Sequence, residues 1–127
     1  MVEADERVLV MTESGAPGVE WLHPALEVMP ETPYAFHHPS EFSNPPNRGG
    51  IAGSLLLMNH WIDTTPMPKP SNADSVNAHD FLLQRIRAFQ HERGRIPNLV
   101  AVDFYRVGDL IPLVRELNAE LKKPASN

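Results

Sequence analysis

Three apolar runs in this sequence each end in polar or ionisable side chains. The first ends at Glu13, the second at Asn59 and His60, and the third at Asp103 and Tyr105. Continuous apolar runs are typical of strands buried in a parallel sheet, and the chemistry of α/β proteins lies at the carboxyl ends of such strands. We therefore expect the polar ends of the three runs to converge on one site.

Asp103 is the candidate catalytic residue. Alternation along a strand places it on the same face as Ala101 and Tyr105, opposite to bulky apolar residues. A carboxylate on the inner face of a sheet can orient a histidine or bind a cation. The alternative is a structural aspartate that caps the next helix or pairs with Arg106.

The ends of the first two runs supply candidate substrate-binding residues. His60 could act as an acid, as a base or as a hydrogen-bond donor to phosphate. Alternatively, it could be a hydrogen-bonded histidine beneath a loop. Of Asn59 and His60 one must face inward and the other outward, and the uniform apolar run does not reveal which. Glu13 is either a ligand to a hydroxyl or metal, or the solvated edge of a turn.

Arg48 lies in a loop whose composition suits an anion. The glycines at 49 and 50 allow backbone amides to approach a ligand, and the arginine offers a planar fork for phosphate oxygens. The other interpretation is a turn with a solvent-facing arginine. We predict no cofactor and no metal site for this chain.

Composition limits the class of protein. The chain has 127 residues, a formal net charge of -5, thirteen prolines and no cysteine. Its acidity disfavours nucleic-acid binding, and no apolar stretch is long enough for a transmembrane segment. The amino end lacks the basic and apolar segments of a secretion signal. Localisation stays unassigned on these grounds.

Strands and helices that position these residues can be read from the apolar spacing. Gly94 fits a helix carboxyl cap and Asp109 a helix amino cap, and helix residues Gln84, Arg85, Arg87 and Glu92 are expected to face water. The predicted strands are 7–12, 54–61 and 99–104, with a short one at 32–36. The predicted helices are 21–29, one from 72 or 75 to 91, and one from 109, followed by a disordered tail over 119–127.

The order of these elements predicts an α/β fold with parallel strands, flanking helices and long Pro-rich loops. Only three to four strands are visible, whereas a closed βα barrel needs eight of them. An open parallel sheet leaves unpaired edges, which proteins normally cover. We therefore interpret residues 1–127 as a single partial domain that assembles with another half.

Several blocks of the sequence resemble the phosphatidylinositol-specific phospholipase C-like phosphodiesterases of the X-domain type, in their bacterial members. The resemblance is to the carboxyl-terminal half of a TIM-type barrel. The blocks are Thr32-Pro33-Tyr34-Ala35-Phe36, Pro46-Asn47-Arg48-Gly49-Gly50, Leu57-Met58-Asn59-His60-Trp61, Val76-Asn77-Ala78, Glu92-Arg93-Gly94-Arg95 and Pro97-Asn98-Leu99-Val100-Ala101-Val102-Asp103-Phe104-Tyr105.

The resemblance implies a phosphoric diester hydrolase that uses two histidines for general acid/base catalysis of phosphodiester or phospholipid head-group cleavage. Those histidines belong to early strands of the barrel, and we expect them to lie outside this chain. Asp103 corresponds to the last-strand carboxylate that orients a catalytic histidine. Arg48, Asn59 and His60 match family motif positions without an assigned step, Glu13 is a possible match at the rim of the site, and Tyr105 is a further candidate substrate-binding residue.

Two assemblies are expected from this interpretation. In the first, an amino-terminal barrel half completes the enzyme, and the chain alone is inactive. In the second, the chain is a non-catalytic binding or scaffold domain that forms a homodimer through its sheet edges. The resemblance suggests a secreted protein. However, Asn44 and Gln90 stand where secreted members are expected to have cysteines, which leaves a cytoplasmic location open.

Overall fold

The computed structural model describes residues 8–15 and 18–122. It has an α/β architecture in which short parallel strands alternate with helices. The strands are β1 (Val10–Thr12), β2 (Leu22–Pro24), β3 (Leu57–His60) and β4 (Leu99–Val102). The helices are α1 (Ala25–Val28), α2 (Pro70–Val76), α3 (His79–Arg93) and α4 (Leu110–Leu121), with a 3-10 turn at Pro39–Glu41.

The strands form two parallel pairs, β1 with β2 and β3 with β4. The backbone around Glu31 runs beside the second edge of β3, where it forms a single parallel bridge to Leu57. The Thr32 amide donates to the Leu57 carbonyl oxygen at 3.1 Å, and the Leu57 amide donates to the Pro30 carbonyl oxygen at 3.1 Å. The predicted parallel pairing is therefore confirmed in the described part of the chain.

The core lies between β3, β4 and the two long helices. Leu56 and Met58 on one face of β3 pack against apolar residues of α3 and α4, with Val100 and Val102 of β4 beside them. These contacts bury Leu82, Ile86 and Phe89 of α3. The fully or nearly buried core residues are Leu56, Met58, Leu82, Ile86, Phe89, Leu110, Leu113 and Leu117.

Arg85 departs from the predicted water-facing side of α3, because only 7% of it is exposed. Its guanidinium donates to the side-chain oxygen of Asn44 and to the Ser43 carbonyl oxygen, the latter at 2.6 Å. The Asn44 side chain also donates to Glu92 at 2.8 Å. Polar contacts therefore hold the loop at 43–44 against α3.

Three predicted elements differ in the structure. Residues 22–24, expected to be helical, form β2 because they pair with β1, and the helix starts only after Pro24. The expected strand at 32–36 is reduced to the bridge at Glu31. The single helix expected from 72 or 75 is divided at Asn77 and Ala78 into α2 and α3. Its predicted end at Gly94 is confirmed by a left-handed φ of 72°.

The carboxyl-terminal helix begins after Asp109 as predicted and continues to Leu121. It therefore includes the first residues of the expected tail at 119–127, whereas residues 123–127 lie outside the described part. The amino-terminal portion of the first predicted strand, including Arg7, is likewise outside it. In the described ranges, no helix has both the length and the apolar character required to span a membrane.

Candidate functional site

The carboxyl ends of β3 and β4 lie side by side. The register pairs His60 with Val102, so Asp103 follows one residue beyond the paired region. Asp103 is half-buried, and burial raises its pKa above the ordinary value, with a further increase from the charge of Asp63. Asp103 lines a cavity that is too narrow to hold a water molecule, and the other polar residues around it are His60, Lys69, Asn72 and Asn77.

His60 lies on the helix-facing side of β3. It is fully buried, its Nε2 lies 2.9 Å from the Val76 carbonyl oxygen, and Phe42 stacks on its ring at 4.6 Å. Because a carbonyl oxygen only accepts, Nε2 carries the proton and Nδ1 does not. Burial, with a smaller effect of the Arg85 charge, lowers the pKa of His60 to about 4 against the opposing effect of the Val76 bond. The ring is therefore neutral near pH 7.

Asn59 lies on the opposite face of β3 and is also buried. Its backbone N–H donates to Thr32 Oγ1 at 2.9 Å, and its side-chain Nδ2 donates to the Thr32 carbonyl oxygen at 2.8 Å. The same Nδ2 lies 3.3 Å from Glu31 Oε2. Because adjacent strand residues face opposite sides, Asn59 faces away from the helices, on the side that an α/β barrel would enclose.

Arg48 joins two carboxylates. Its Nε donates to Glu31 Oε1 at 2.5 Å and an Nη donates to Glu13 Oε2 at 3.0 Å, while the guanidinium lies 5.3 Å from the centre of the Tyr34 ring. The hydrogen bonds to both carboxylates raise the pKa of Arg48, so it is always charged. Glu31 is 6% exposed, whereas the Glu13 side chain is 64% exposed. Arg48 therefore joins a carboxylate of the interior, Glu31, to a carboxylate in solvent, Glu13.

The glycines beside Arg48 have separate surroundings. A Cβ at Gly49 would collide with the Leu26 carbonyl oxygen and with Pro30, so this glycine permits close packing on α1. Gly50 has a positive φ of 73° and open space around it. The close approach that requires Gly49 is made to the protein's own backbone, which supports the turn interpretation of this position.

Asn77 holds the loop that carries Asp103. It is fully buried between α2 and α3, and its Nδ2 donates to the Asp103 carbonyl oxygen at 3.1 Å and to the Val107 carbonyl oxygen at 3.2 Å. Its Oδ1 has no hydrogen-bond partner among the described residues. The Asp109 amide donates to the Asn77 carbonyl oxygen at 2.8 Å. This residue thereby fixes both ends of the 103–107 turn.

Tyr105 lies on the outer surface of that turn and is 52% exposed. Arg106 Nε donates to its hydroxyl oxygen at 3.0 Å, and the guanidinium lies 5.5 Å from the ring centre. The preceding residue, Phe104, has a φ of 49° and is the one non-glycine residue with positive φ in the described part. An aromatic pair and a cation are thus presented together beyond the end of β4.

The predicted residues therefore fall into separate groups. Arg48 is bonded directly to Glu13 and is linked to Asn59 through Glu31, whereas His60 and Asp103 line the cavity at the strand ends. Tyr105 stands outside both groups on the surface. No trio of His, Asp or Glu side chains among residues 8–15 and 18–122 is placed to hold a metal ion.

Two central residues were not among the sequence candidates. Glu31 is the hub of the Arg48 and Asn59 contacts, and its signal was a polar pair, Glu31 and Thr32, set between two prolines. Asn77 holds the Asp103 loop, and its signal in the sequence was its place in the block Val76-Asn77-Ala78. Both act through contacts with residues far away in sequence, which local spacing does not show.

A family model described as PI-PLC X 1 matches residues 1–118. No curated protein and no solved structure matches the chain.

Proposed function

Because the chain belongs to the PI-PLC X family and is a phospholipase C-like domain, we propose that it supplies one wall of a phosphodiester-hydrolysing site. That wall is formed at the ends of β3 and β4, with Asp103 as the carboxylate that orients a catalytic histidine. The substrate is a phosphatidylinositol-type or related phosphodiester. The catalytic histidine pair comes from strands of an amino-terminal barrel half.

The environment of His60 carries this proposal. General acid/base catalysis needs a histidine that reaches the substrate and changes protonation near the working pH. His60 is the one described histidine that lines the Asp103 cavity, yet it is fully buried and its Nε2 is bound to Val76. Its pKa of about 4 keeps it neutral. His60 therefore packs the site, and the proton-transfer groups must come from elsewhere.

Asp103 has the properties expected of an orienting carboxylate. Its side chain has no hydrogen bond to a described residue, while Asn77 holds its backbone carbonyl oxygen. A carboxylate held by its backbone but free at its side chain can accept the N–H of an incoming imidazole. The raised pKa of Asp103 would fall to its ordinary range beside an imidazolium, because opposite charges favour the ionised carboxyl.

Arg48 could bind a phosphate group by exchanging one of its two carboxylate partners. Glu31 is buried and accepts from Nε, whereas Glu13 is exposed and accepts from an Nη. A phosphate oxygen would therefore displace Glu13 and leave the Glu31 contact intact. Arginine favours such exchange, because its planar fork binds carboxylate and phosphate with the same geometry. Asn59 keeps Glu31 in place through its Nδ2.

An assay of the purified chain on phosphatidylinositol and on a soluble phosphodiester tests the proposal. We expect no turnover by the chain alone, and turnover on adding an amino-terminal barrel half that carries the paired histidines. In the completed enzyme Asp103→Asn should lower kcat by about a hundredfold or more, as loss of an orienting carboxylate does elsewhere. His60→Phe should change it much less.

Turnover by the chain alone that disappears in His60→Ala would contradict the proposal. So would an upstream reading frame without strands bearing paired histidines, if no second gene supplies them.

A second function, a binding or scaffold domain that dimerises, is favoured by one surface. A groove of about 220 Å³ between α3, α4 and the start of β4 is lined by apolar side chains, and β4 has no partner on its second edge in the described part. The exposed apolar residues that line this groove are Ile111, Val114 and Leu121. Light scattering separates the two functions, because a stable homodimer that does not bind the barrel half favours the scaffold.

A further inference from the structure

A second cavity lies between α3 and the loop at 39–44. Its volume is about 290 Å³, and it shares no lining residue with the cavity at the strand ends. Phe42 of the loop and Phe81 of α3 form apolar walls, with their ring centres 6.0 Å apart. A cavity of this volume accommodates a molecule the size of an amino acid.

Arg85 brings a buried positive charge to the wall of this cavity. Two of the five N–H groups of its guanidinium donate to the neutral oxygens of Asn44 and Ser43, and Nε has no partner among the described residues. Burial lowers the pKa of Arg85 to about 10, and the charge of Glu92 opposes that effect only in part. Buried charges are normally paired with an opposite charge. The guanidinium therefore still has donors and charge to offer an anion.

Glu92 brings a carboxylate to the same cavity. It is exposed, and its Oε1 accepts from Asn44 Nδ2 at 2.8 Å. The oxygen of the same Asn44 amide group accepts from Arg85. Because the two ends of an amide group are one carbon apart, the guanidinium and the carboxylate are held close together on the cavity wall. An α-amino acid carries a carboxylate and an ammonium group at a similarly short separation.

We propose that this cavity binds a zwitterionic α-amino acid with an apolar side chain. The ligand carboxylate binds Arg85, its ammonium group binds Glu92, and its side chain lies against Phe42 and Phe81. The guanidinium lies 5.3 Å from the centre of the Phe42 ring, so the charged and apolar parts of the site are adjacent. The proposal goes beyond the proposed function, because this binding needs neither a phosphodiester nor a completed barrel.

An NMR titration of the full chain tests the site, with amide shifts of residues 42–44 and of α3 as the readout. The probes are phenylalanine, 3-phenylpropionate without the ammonium group, phenethylamine without the carboxylate, and glycine without the side chain. We expect phenylalanine to bind tightest. Loss of the ammonium group should weaken binding by about fivefold, because Glu92 is exposed. Loss of the carboxylate or of the side chain should weaken it about tenfold or more.

Ala88→Leu tests the cavity without removing a polar contact. Ala88 is exposed on α3 and lines the cavity, so leucine should fill the space and leave the helix stable. We expect phenylalanine to bind this variant about tenfold more weakly or not at all. His91→Leu is the matched control, because it adds the same side chain at an exposed position of α3 outside the cavity lining. It should bind as the parent does.

Glu92→Gln tests the assignment of the two charges. Glutamine keeps an oxygen acceptor for Asn44 but has no charge to attract an ammonium group. Phenylalanine and 3-phenylpropionate should therefore bind this variant with equal affinity.

Four results would overturn the proposal. The first is the lack of a saturable shift with phenylalanine at millimolar concentration, and the second is equal affinity of the parent for phenylalanine and phenethylamine. The third is full binding by Ala88→Leu, and the fourth is an unchanged preference for phenylalanine over 3-phenylpropionate in Glu92→Gln. Failure of catalysis by the chain or its completed enzyme leaves all of these readouts unaffected.

Discussion

His60 shows how one residue's surroundings decide its chemistry. From the sequence it was as suited to proton transfer as any histidine at a strand end. The structure places its ring against Phe42 and its Nε2 on the Val76 carbonyl oxygen. Burial then makes the charged form unfavourable, so the residue contributes to stability as a neutral side chain.

This environment predicts a pH-dependent stability. The folded pKa of His60 is about 4, below the unfolded value near 6.5, so the unfolded state binds its proton first. The stability that the neutral His60 ring provides is fully present above pH 6.5. It is lost as the pH falls to 4, and the free energy of unfolding decreases by about 3 kcal/mol over that window. Urea unfolding of the parent protein and His60→Phe at several pH values measures it.

His60→Phe should be less stable at pH 7, since Val76 loses its donor, and should lose less stability on acidification. Phe81→Leu is the control, because it changes packing near the same ring without removing a titrating group. Parallel stability curves for the parent and His60→Phe between pH 4 and 7 would show that His60 titrates normally in the folded protein.

Residue alternation was predictable in β4 but not in β3. In β4 the bulky Val100 and Val102 pack on the core, as their contrast with Ala101 indicates. In β3 both faces carry apolar side chains, so the sequence could not show which of Asn59 and His60 faces the helices.

The burial of Arg85 was unpredictable for another reason. Its acceptors lie more than forty residues away in sequence.

At the scale of elements, the junction between α2, α3 and the start of α4 positions the candidate site. The Asp109 side chain accepts from the His79 amide at 3.1 Å, so it caps α3 rather than its own helix. Gly108 lies so close to Asn77 that an added Cβ would be 2.6 Å from the Asn77 carbonyl oxygen. This contact joins the Asp103 loop to the helices.

Two glycines with similar backbone conformations allow a matched test of that junction. Gly108 has a φ of 82° and Gly94 a φ of 72°, but a Cβ at Gly94 would meet open space. Gly94→Ala should cost about 1 kcal/mol, from the left-handed conformation alone. Gly108→Ala should cost about 2 to 4 kcal/mol, because the backbone must also move. Thermal or urea unfolding of both variants gives the comparison.

Equal destabilisation by the two substitutions would show that the close approach of Gly108 to Asn77 contributes nothing.

Element boundaries also mark the limit of the sequence prediction. The end of α3 at Gly94 and the start of α4 after Asp109 were visible from local residue types, although the Asp109 side chain caps α3 and not α4. The strand at 22–24 was not, because it exists only through pairing with β1.

Across the whole molecule, stability is concentrated in one of the two strand pairs. β3 contains three buried residues and packs on α3 and α4, whereas β1, β2 and α1 contain none. The family, the parallel pairing and the α/β class were predictable because they depend on patterns along the chain. Closure into a barrel stays a prediction, since it depends on strands other than the four described.

This imbalance predicts a gradient of hydrogen-exchange protection. Amides of β3 and β4 should exchange slowest, at rates near those set by global unfolding. Amides of β1 and β2 should exchange much faster, through local opening that leaves the core intact. Native-state exchange followed by mass spectrometry or NMR measures both. Equal protection in the two strand pairs would mean that the molecule opens only as a single unit.

The contact between Arg48 and Glu13 makes the attachment of β1 sensitive to ionic strength. It is an exposed ion pair between the residue after β1 and the loop before β3. Mobile ions screen such pairs over a Debye length of about 10 Å at 0.1 M salt, whereas the buried contacts of β3 are hardly affected. Salt should therefore release the β1 end before it disturbs the core, and it should free Arg48 for other anions at the same time.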